Sequence, residues 1–130
     1  MKEVIDKLLD AAFEVQRFVE VYNSYGELVN TALGDILEER HRQIHEHGFD
    51  AVYDDRYNPG VIAAGAASYA LNASYVLNPK IGKPLDGAPS FWALGAAWWK
   101  PKTPREDLVR AAALILAEIE RIDRDEARHA

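Results

Sequence analysis

Apolar residues recur at three- and four-residue steps through most of the chain, the spacing of helices with one buried face. Over residues 2–22 the positions Ile5, Leu8, Leu9, Ala12, Val15, Val19 and Tyr22 share a stripe and predict an amphipathic helix. Ser24-Tyr25-Gly26-Glu27 has the form of a capping box, in which the serine oxygen and the glutamate each satisfy an orphan amide. A second helix is expected after it, with Leu28, Leu33, Ile36, Leu37 and Ile44 inward and Gly48 as the C′ residue.

Residues 49–58 are polar and turn-prone. Asn58-Pro59 then offers an N-cap and a proline at the first helical position. The third helix, running to about Leu77, is rich in Ala63, Ala64, Gly65, Ala66, Ala67, Ala70 and Ala73. Small residues let neighbouring helices approach closely, which places it centrally. It ends at Asn78-Pro79, because the residue before proline disfavours the α region. The stretch 78–103 carries four of the six prolines and the glycines at 82, 87 and 95. It is too long for an ordinary connection and reads as a functional loop or lid, with a short helical turn over 91–99. Thr103-Pro104-Arg105-Glu106 is a second capping box. The helix it opens is expected to bury Leu108, Ala111, Ala112, Ile115, Ile119 and Ile122. The expectation is one all-α domain over 1–130, an antiparallel four-helix-bundle-like fold with a long Pro/Gly/Trp loop before the last helix. The 2–22 helix is the candidate oligomerisation element.

Composition narrows the classes. With 48% apolar residues in 130, the chain can bury a core, and the absence of cysteine removes disulfides, thiolate metal sites and thiol catalysis. An acidic N-terminal run is unlike a signal peptide, and no uncharged apolar stretch approaches the roughly 20 residues of a membrane span. The expected location is the cytoplasm of a bacterial host, without membrane contact. A net charge of −6 argues against a DNA or RNA polymer as partner. Yet positions 78–105 hold Lys80, Lys83, Lys100, Lys102 and Arg105 against Asp86 alone, a local +4 that leaves −10 elsewhere. A basic patch on an acidic protein suits a small anion.

Four groups of residues carry chemical interest. Glu118 lies on or beside the apolar stripe of the last helix, where a carboxylate needs a partner; it is a boundary residue whose charge reaches water or pairs with an arginine on the next helix, or an acid facing a ligand or metal. Arg40 falls in register with Leu33, Leu37 and Ile44 and seeks a carboxylate such as Glu118, Asp54 or Asp55, with Glu39, Arg42 and Gln43 alongside. Asp54 and Asp55 could join Glu39 and Glu118 around magnesium, since hard cations take oxygen ligands, although loop aspartates are commonly turn formers and caps. His41, His45 and His47 are possible metal ligands, and His41 and His45 are four apart, as zinc would want, but no third ligand stands at a diagnostic spacing and the segment is charged throughout, so a solvated face is the reading. Finally, Phe91, Trp92, Trp98 and Trp99 interleave with Lys100, Lys102 and Arg105. Indoles stack on nucleobases and cations hold phosphates, while the same tryptophans could cap an alanine-rich bundle that needs bulk.

The order of Glu39-Arg40-x-Arg42-Gln43, Gly48, Asp54-Asp55, Tyr69-Ala70, Trp98-Trp99-Lys100-Pro101, Arg105, and Leu108-Val109-Arg110-Ala111 through Ile119-Glu120-Arg121-Ile122-Asp123-Arg124 resembles a family of small helical proteins of tailed bacteriophages and prophages, mostly of unassigned function. The resemblance covers roughly residues 35–124. More distantly the layout looks like the MazG-type all-α nucleoside-triphosphate pyrophosphohydrolases, which are helical, oligomeric and magnesium-dependent. Those enzymes carry a Glu-Glu-x-x-Glu helix followed by a Glu-x-x-Asp helix. Here Glu38-Glu39 is followed by Arg42 where the third acid would stand, and Glu120-Arg121-Ile122-Asp123 matches the second motif at the end of its helix.

The leading expectation is therefore a phage-encoded, homo-oligomeric protein that binds a small nucleotide-like ligand and sequesters a host defence signal. Its ligand-binding residues are Arg40, Arg42, Gln43, Trp98, Trp99, Lys100, Lys102 and Arg105, with no catalytic residue and no cofactor. One alternative is a diverged pyrophosphohydrolase using Mg2+ on Glu39, Asp54, Asp55 and Glu118. The other is a module that binds a host protein through its apolar helices.

Overall fold

A computed structural model describes residues 1–24 and 26–130, with side chains given outside 18–30. The described chain is all-α and helical-bundle-like: α1 (Lys2–Ser24), α2 (Gly26–His45), α3 (Ala51–Asp54), α4 (Val61–Leu77) and α5 (Pro104–Arg128), with one 3-10 turn at Ala96–Trp98. Among the described residues there is no strand, and no helix is long and apolar enough to cross a membrane. The Ser24-to-Glu27 capping box and the stripe positions Val19, Tyr22 and Leu28 lie outside the described residues or side chains.

The chain divides into two compact units, Met1–Gly34 and Asp35–Ala130. In the first, the stripe of α1 is open to solvent, with Ile5, Leu8, Leu9 and Val15 all exposed. In the second, α4 and α5 pack along their lengths and α3 sits against α5. Their core is Ile62, Ala66 and Tyr69 from α4 against Ala111, Leu114 and Ala117 from α5. Alanines at the contact allow close approach, as the sequence implied, and Tyr69 supplies the bulk. Truncating Ile62 would cost about 2–5 kcal/mol.

The inward face of α5 differs from expectation. Ala111 is buried, but Leu108, Ile115, Ile119 and Ile122 are 40–49% exposed. The buried face instead runs Asp107, Ala111, Leu114, Glu118 and Arg121, three or four residues apart. The physical reason is α4: its small residues leave room for alanines and one leucine, and the polar members of the α5 face find partners that make burial tolerable. Glu118 pairs with Arg121 (2.8 Å) and accepts the Gly60 backbone N–H (2.7 Å). On α2, likewise, Arg40 and Gln43 are buried while Leu37, expected inward, is 40% exposed.

Helix ends follow their local chemistry. Thr103 caps α5 by accepting the Glu106 N–H, with Pro104 in the first turn, as its sequence predicts. Gly48 has φ +71° just beyond α2, and Asn78 caps α4 at its C-terminus. Asn58-Pro59, however, does not open α4. The helix starts at Val61 behind Gly60 (φ +89°), whose N–H faces the Glu118 carboxylate rather than a capping side chain. An anion at that helix start is favourable. The short α3 within the supposed turn region is capped by Asp50 through the Tyr53 N–H (3.0 Å).

Candidate functional site

The loop 78–103 is pinned to the helices by buried polar side chains. Asn72 accepts the Leu85 N–H (2.8 Å), and buried Asp107 accepts the Lys102 N–H (2.8 Å). Tyr69 does more: its hydroxyl donates to the Trp98 carbonyl (2.8 Å) and accepts from the Lys100 N–H (3.2 Å). Gly65 lets Leu94 descend onto α4, since a Cβ there would meet Leu94 Cδ1 at 2.3 Å. The loop is thus a fixed wall.

Between this wall, the end of α2, α3 and the α4–α5 pair lies a cleft of about 260 Å3, near the small end of the roughly 300–1,000 Å3 usual for small-molecule sites. Its aromatic walls include Phe49, Tyr53, Tyr57, Tyr69, Trp92 and Trp98. Phe49 meets Tyr53 at 4.9 Å and the edge of Trp98 at 4.8 Å, so the rings buttress one another. Five cations line the cleft, Arg40, Arg42, Lys100, Lys102 and Arg110, against the carboxylates Glu39 and Asp54.

Two of those cations are already matched. Buried Arg40 bonds Asp54 (3.2 Å), Glu120 (3.1 Å) and the Phe49 carbonyl. Arg42 grips Glu39 through two nitrogens (2.7 and 2.6 Å) and reaches His47 Nε2 at 2.6 Å. The hydrogen bond to Glu39 raises the Arg42 pKa further. Burial pushes the Asp54 carboxyl above its ordinary range, opposed by Arg40. Burial also pushes the Tyr57 hydroxyl upward, helped by its bond to Tyr53 (3.1 Å). Lys100, Lys102 and Arg110 form no salt bridge among the described residues, though the Arg110 charge acts on the Asp107 carboxyl. Lys100 lies over the Trp98 ring at 5.5 Å, and Arg110 lies over Tyr69 at 5.5 Å while bonding the Lys100 carbonyl.

Of the ligand residues expected from sequence, Arg40, Arg42, Gln43, Trp98, Lys100 and Lys102 meet in this cleft. Trp99 does not line it. It stacks on Tyr69 (5.0 Å, 26°) and packs against the core, so the inward indole of the pair is Trp99 and the cleft-facing one is Trp98. Arg105 does not line it either. It bonds Asp35 (2.7 Å) on a neighbouring cleft of about 290 Å3 that shares Glu39, Arg42, Lys102 and Arg110 with the first. Arg105 stands two residues before buried Asp107, about 200° away round the helix, which turns it outward.

The four carboxylates proposed for a metal are drawn apart by arginines: Glu39 to Arg42, Asp54 to Arg40, Asp55 to Arg124 and Arg128, and Glu118 to Arg121. Among the described residues no three His, Asp or Glu side chains are grouped to hold an ion. His41 and His45 lie with rings 4.1 Å apart on an exposed face.

Sequence reasoning missed Phe49, Tyr53 and Tyr57, which stand at i, i+4 and i+8 in a stretch read as polar turn. That helical spacing was the available signal. Arg110 and Tyr69 were also missed as cleft residues, having been read as parts of regular helices.

No protein-family model, no curated protein and no solved structure matches this chain.

Proposed function

We propose that the protein binds a small nucleotide-like anion in the aromatic cleft and holds it without turnover, as a phage protein sequestering a host defence signal would. The observation that carries this reading is the set of three cations, Lys100, Lys102 and Arg110, that form no salt bridge among the described residues, around rings that include Trp98 and Tyr53. A base stacked on an indole gains about 1–3 kcal/mol. Each charge-assisted bond to phosphate adds roughly 1.5–3 kcal/mol. Holding rather than hydrolysis is supported by Glu39 and Asp54, the cleft's two carboxylates, each engaged by an arginine. The phage setting comes from the motif order of residues 35–124.

The protein is also proposed to act as a symmetric homo-oligomer. Leu108, Ala112, Ile115, Ile119 and Ile122 follow a 4-3-4-3 spacing, that of a coiled-coil seam, and its four large members are exposed. A second copy related by a two-fold axis presents the same seam to it.

The direct test is to purify the protein from a bacterial host, release small molecules by heat and identify them by mass spectrometry. A phosphorylated nucleoside derivative recovered in stoichiometric amount supports the reading. Magnesium-dependent release of pyrophosphate from added nucleoside triphosphates would overturn it in favour of an enzyme.

A further inference from the structure

The aromatic cleft and its neighbour of about 290 Å3 adjoin, with Glu39, Arg42, Lys102 and Arg110 lining both. At 260 Å3 the first alone lies under the roughly 300–1,000 Å3 usual for small-molecule sites, and the two together come within it. Of the shared residues, Glu39 and Arg42 hold each other at 2.6 Å. Lys102 and Arg110 form no salt bridge among the described residues and line both clefts. The Arg110 guanidinium is also held in place, over the Tyr69 ring at 5.5 Å and against the Lys100 carbonyl. Charge open to an anion thus stands at the border between the clefts.

Beyond that border the chemistry changes. The first cleft is walled by aromatic rings, whereas among the described residues the second is lined by charged side chains and Val109. A second base would find no ring there to stack on. A further phosphate would find Arg105 already held by Asp35 (2.7 Å), with the carboxylates of Glu38 and Glu106 beside it. A neutral hydroxyl meets neither obstacle. It carries one donor and two acceptor lone pairs, while a carboxylate has about four acceptor sites and a guanidinium about five N–H groups. Hydroxyls therefore use what each ion pair leaves over without separating the pair.

We infer that the two clefts are halves of one site, which takes a nucleotide joined through its phosphates to a neutral, hydroxyl-rich group such as a sugar. The base lies among the rings of the first cleft and the phosphates on Lys102 and Arg110 at the border. The hydroxyls lie among Asp35, Glu38, Arg105 and Glu106. The inference rests on the nucleotide-binding reading and names the substrate class within it.

The test titrates the nucleoside diphosphates of adenosine, guanosine, cytidine and uridine into the protein, each beside its diphosphate ester with glucose. For at least one base the glucose ester is expected to bind about tenfold tighter or more than the diphosphate, the worth of one or two added hydrogen bonds. Arg105 and Glu38 are exposed and line only the second cleft. Arg105→Ala combined with Glu38→Gln should therefore bring the ester to within about threefold of the diphosphate, leaving the diphosphate's own affinity nearly unchanged. Equal affinity of diphosphate and ester for every base that binds overturns the inference while leaving the aromatic cleft as a nucleotide site. A gain that survives the double substitution also overturns it, since the sugar then lies outside the second cleft. Binding of none of the eight compounds overturns the nucleotide reading as well.

Discussion

The hydroxyl of Tyr69 donates to the Trp98 carbonyl at 2.8 Å across 29 positions of sequence, and accepts the Lys100 N–H at 3.2 Å. One phenol on α4 thereby fixes the backbone that carries an indole and a cation of the cleft wall. Tyr69→Phe keeps the stacked ring and removes both bonds. It is expected to lower stability by about 1–3 kcal/mol, read as a drop in urea midpoint, and to expose the 78–103 loop to limited proteolysis. Unchanged protease resistance would show that the loop holds without the hydroxyl.

Glu118 is expected to be a stability residue. It is 6% exposed, and its partners are Arg121 and the start of α4. Glu118→Ala leaves a buried guanidinium unmatched, a loss of about 3–5 kcal/mol in chemical denaturation. Glu118→Gln, which still accepts the Gly60 N–H, should unfold more easily than the unaltered protein yet bind the same ligand with the same affinity. Loss of binding by a well-folded Glu118→Gln would place this residue in the site instead.

Much of this was legible beforehand, and the failures have physical causes. The Thr103 cap, the Asn78 stop and the all-α class follow from local chemistry that needs no tertiary partner. The face of α5 could not be read by hydrophobicity. Ile115 and Ile119 announce a buried stripe, but α4 accepts only the slimmer side with Ala111, Leu114 and Ala117, and the charges of Glu118 and Arg121 are cancelled by each other. The order of Trp98 and Trp99 was likewise decided by Tyr69, a contact 30 residues away in sequence from Trp99 that no spacing rule reports.

Two buried or paired aspartates give opposite pH responses. The hydrogen bonds from Arg124 and then Arg128 lower the Asp55 pKa from 3.8 to about 2. Its contribution to stability is thus present above the unfolded value and lost as pH falls from about 4 toward 2. Burial raises the Asp107 pKa, so the folded state holds that proton longer than the unfolded chain. Its effect is a loss of stability as pH rises from the unfolded value through the raised folded one. Asp107→Asn, which keeps an oxygen for the Lys102 N–H, should flatten the second response, and Asp55→Asn the first, in melting temperatures measured from pH 2 to 8. No difference in either profile would contradict these assignments.

The exposed seam of α5 predicts assembly. Light scattering at tens of micromolar is expected to give a mass of two chains or more, and Ile115→Glu with Ile119→Glu should reduce it to that of one chain while the helical circular dichroism persists. A monomeric unaltered protein at that concentration contradicts the seam.

The central claim is tested most directly by calorimetric titration of nucleoside monophosphates into the unaltered protein, Trp98→Ala, Lys102→Ala and Trp99→Ala. Trp98 and Lys102 line the cleft, whereas Trp99 packs on the core. At least one nucleotide should bind the unaltered protein, with affinity falling about ten- to hundredfold in Trp98→Ala and in Lys102→Ala at little change in melting temperature. Trp99→Ala should show the reverse emphasis, a lower melting temperature first. Affinities in Trp98→Ala and Lys102→Ala equal to that of the unaltered protein, or no nucleotide bound by any of the four, would contradict the cleft as the site.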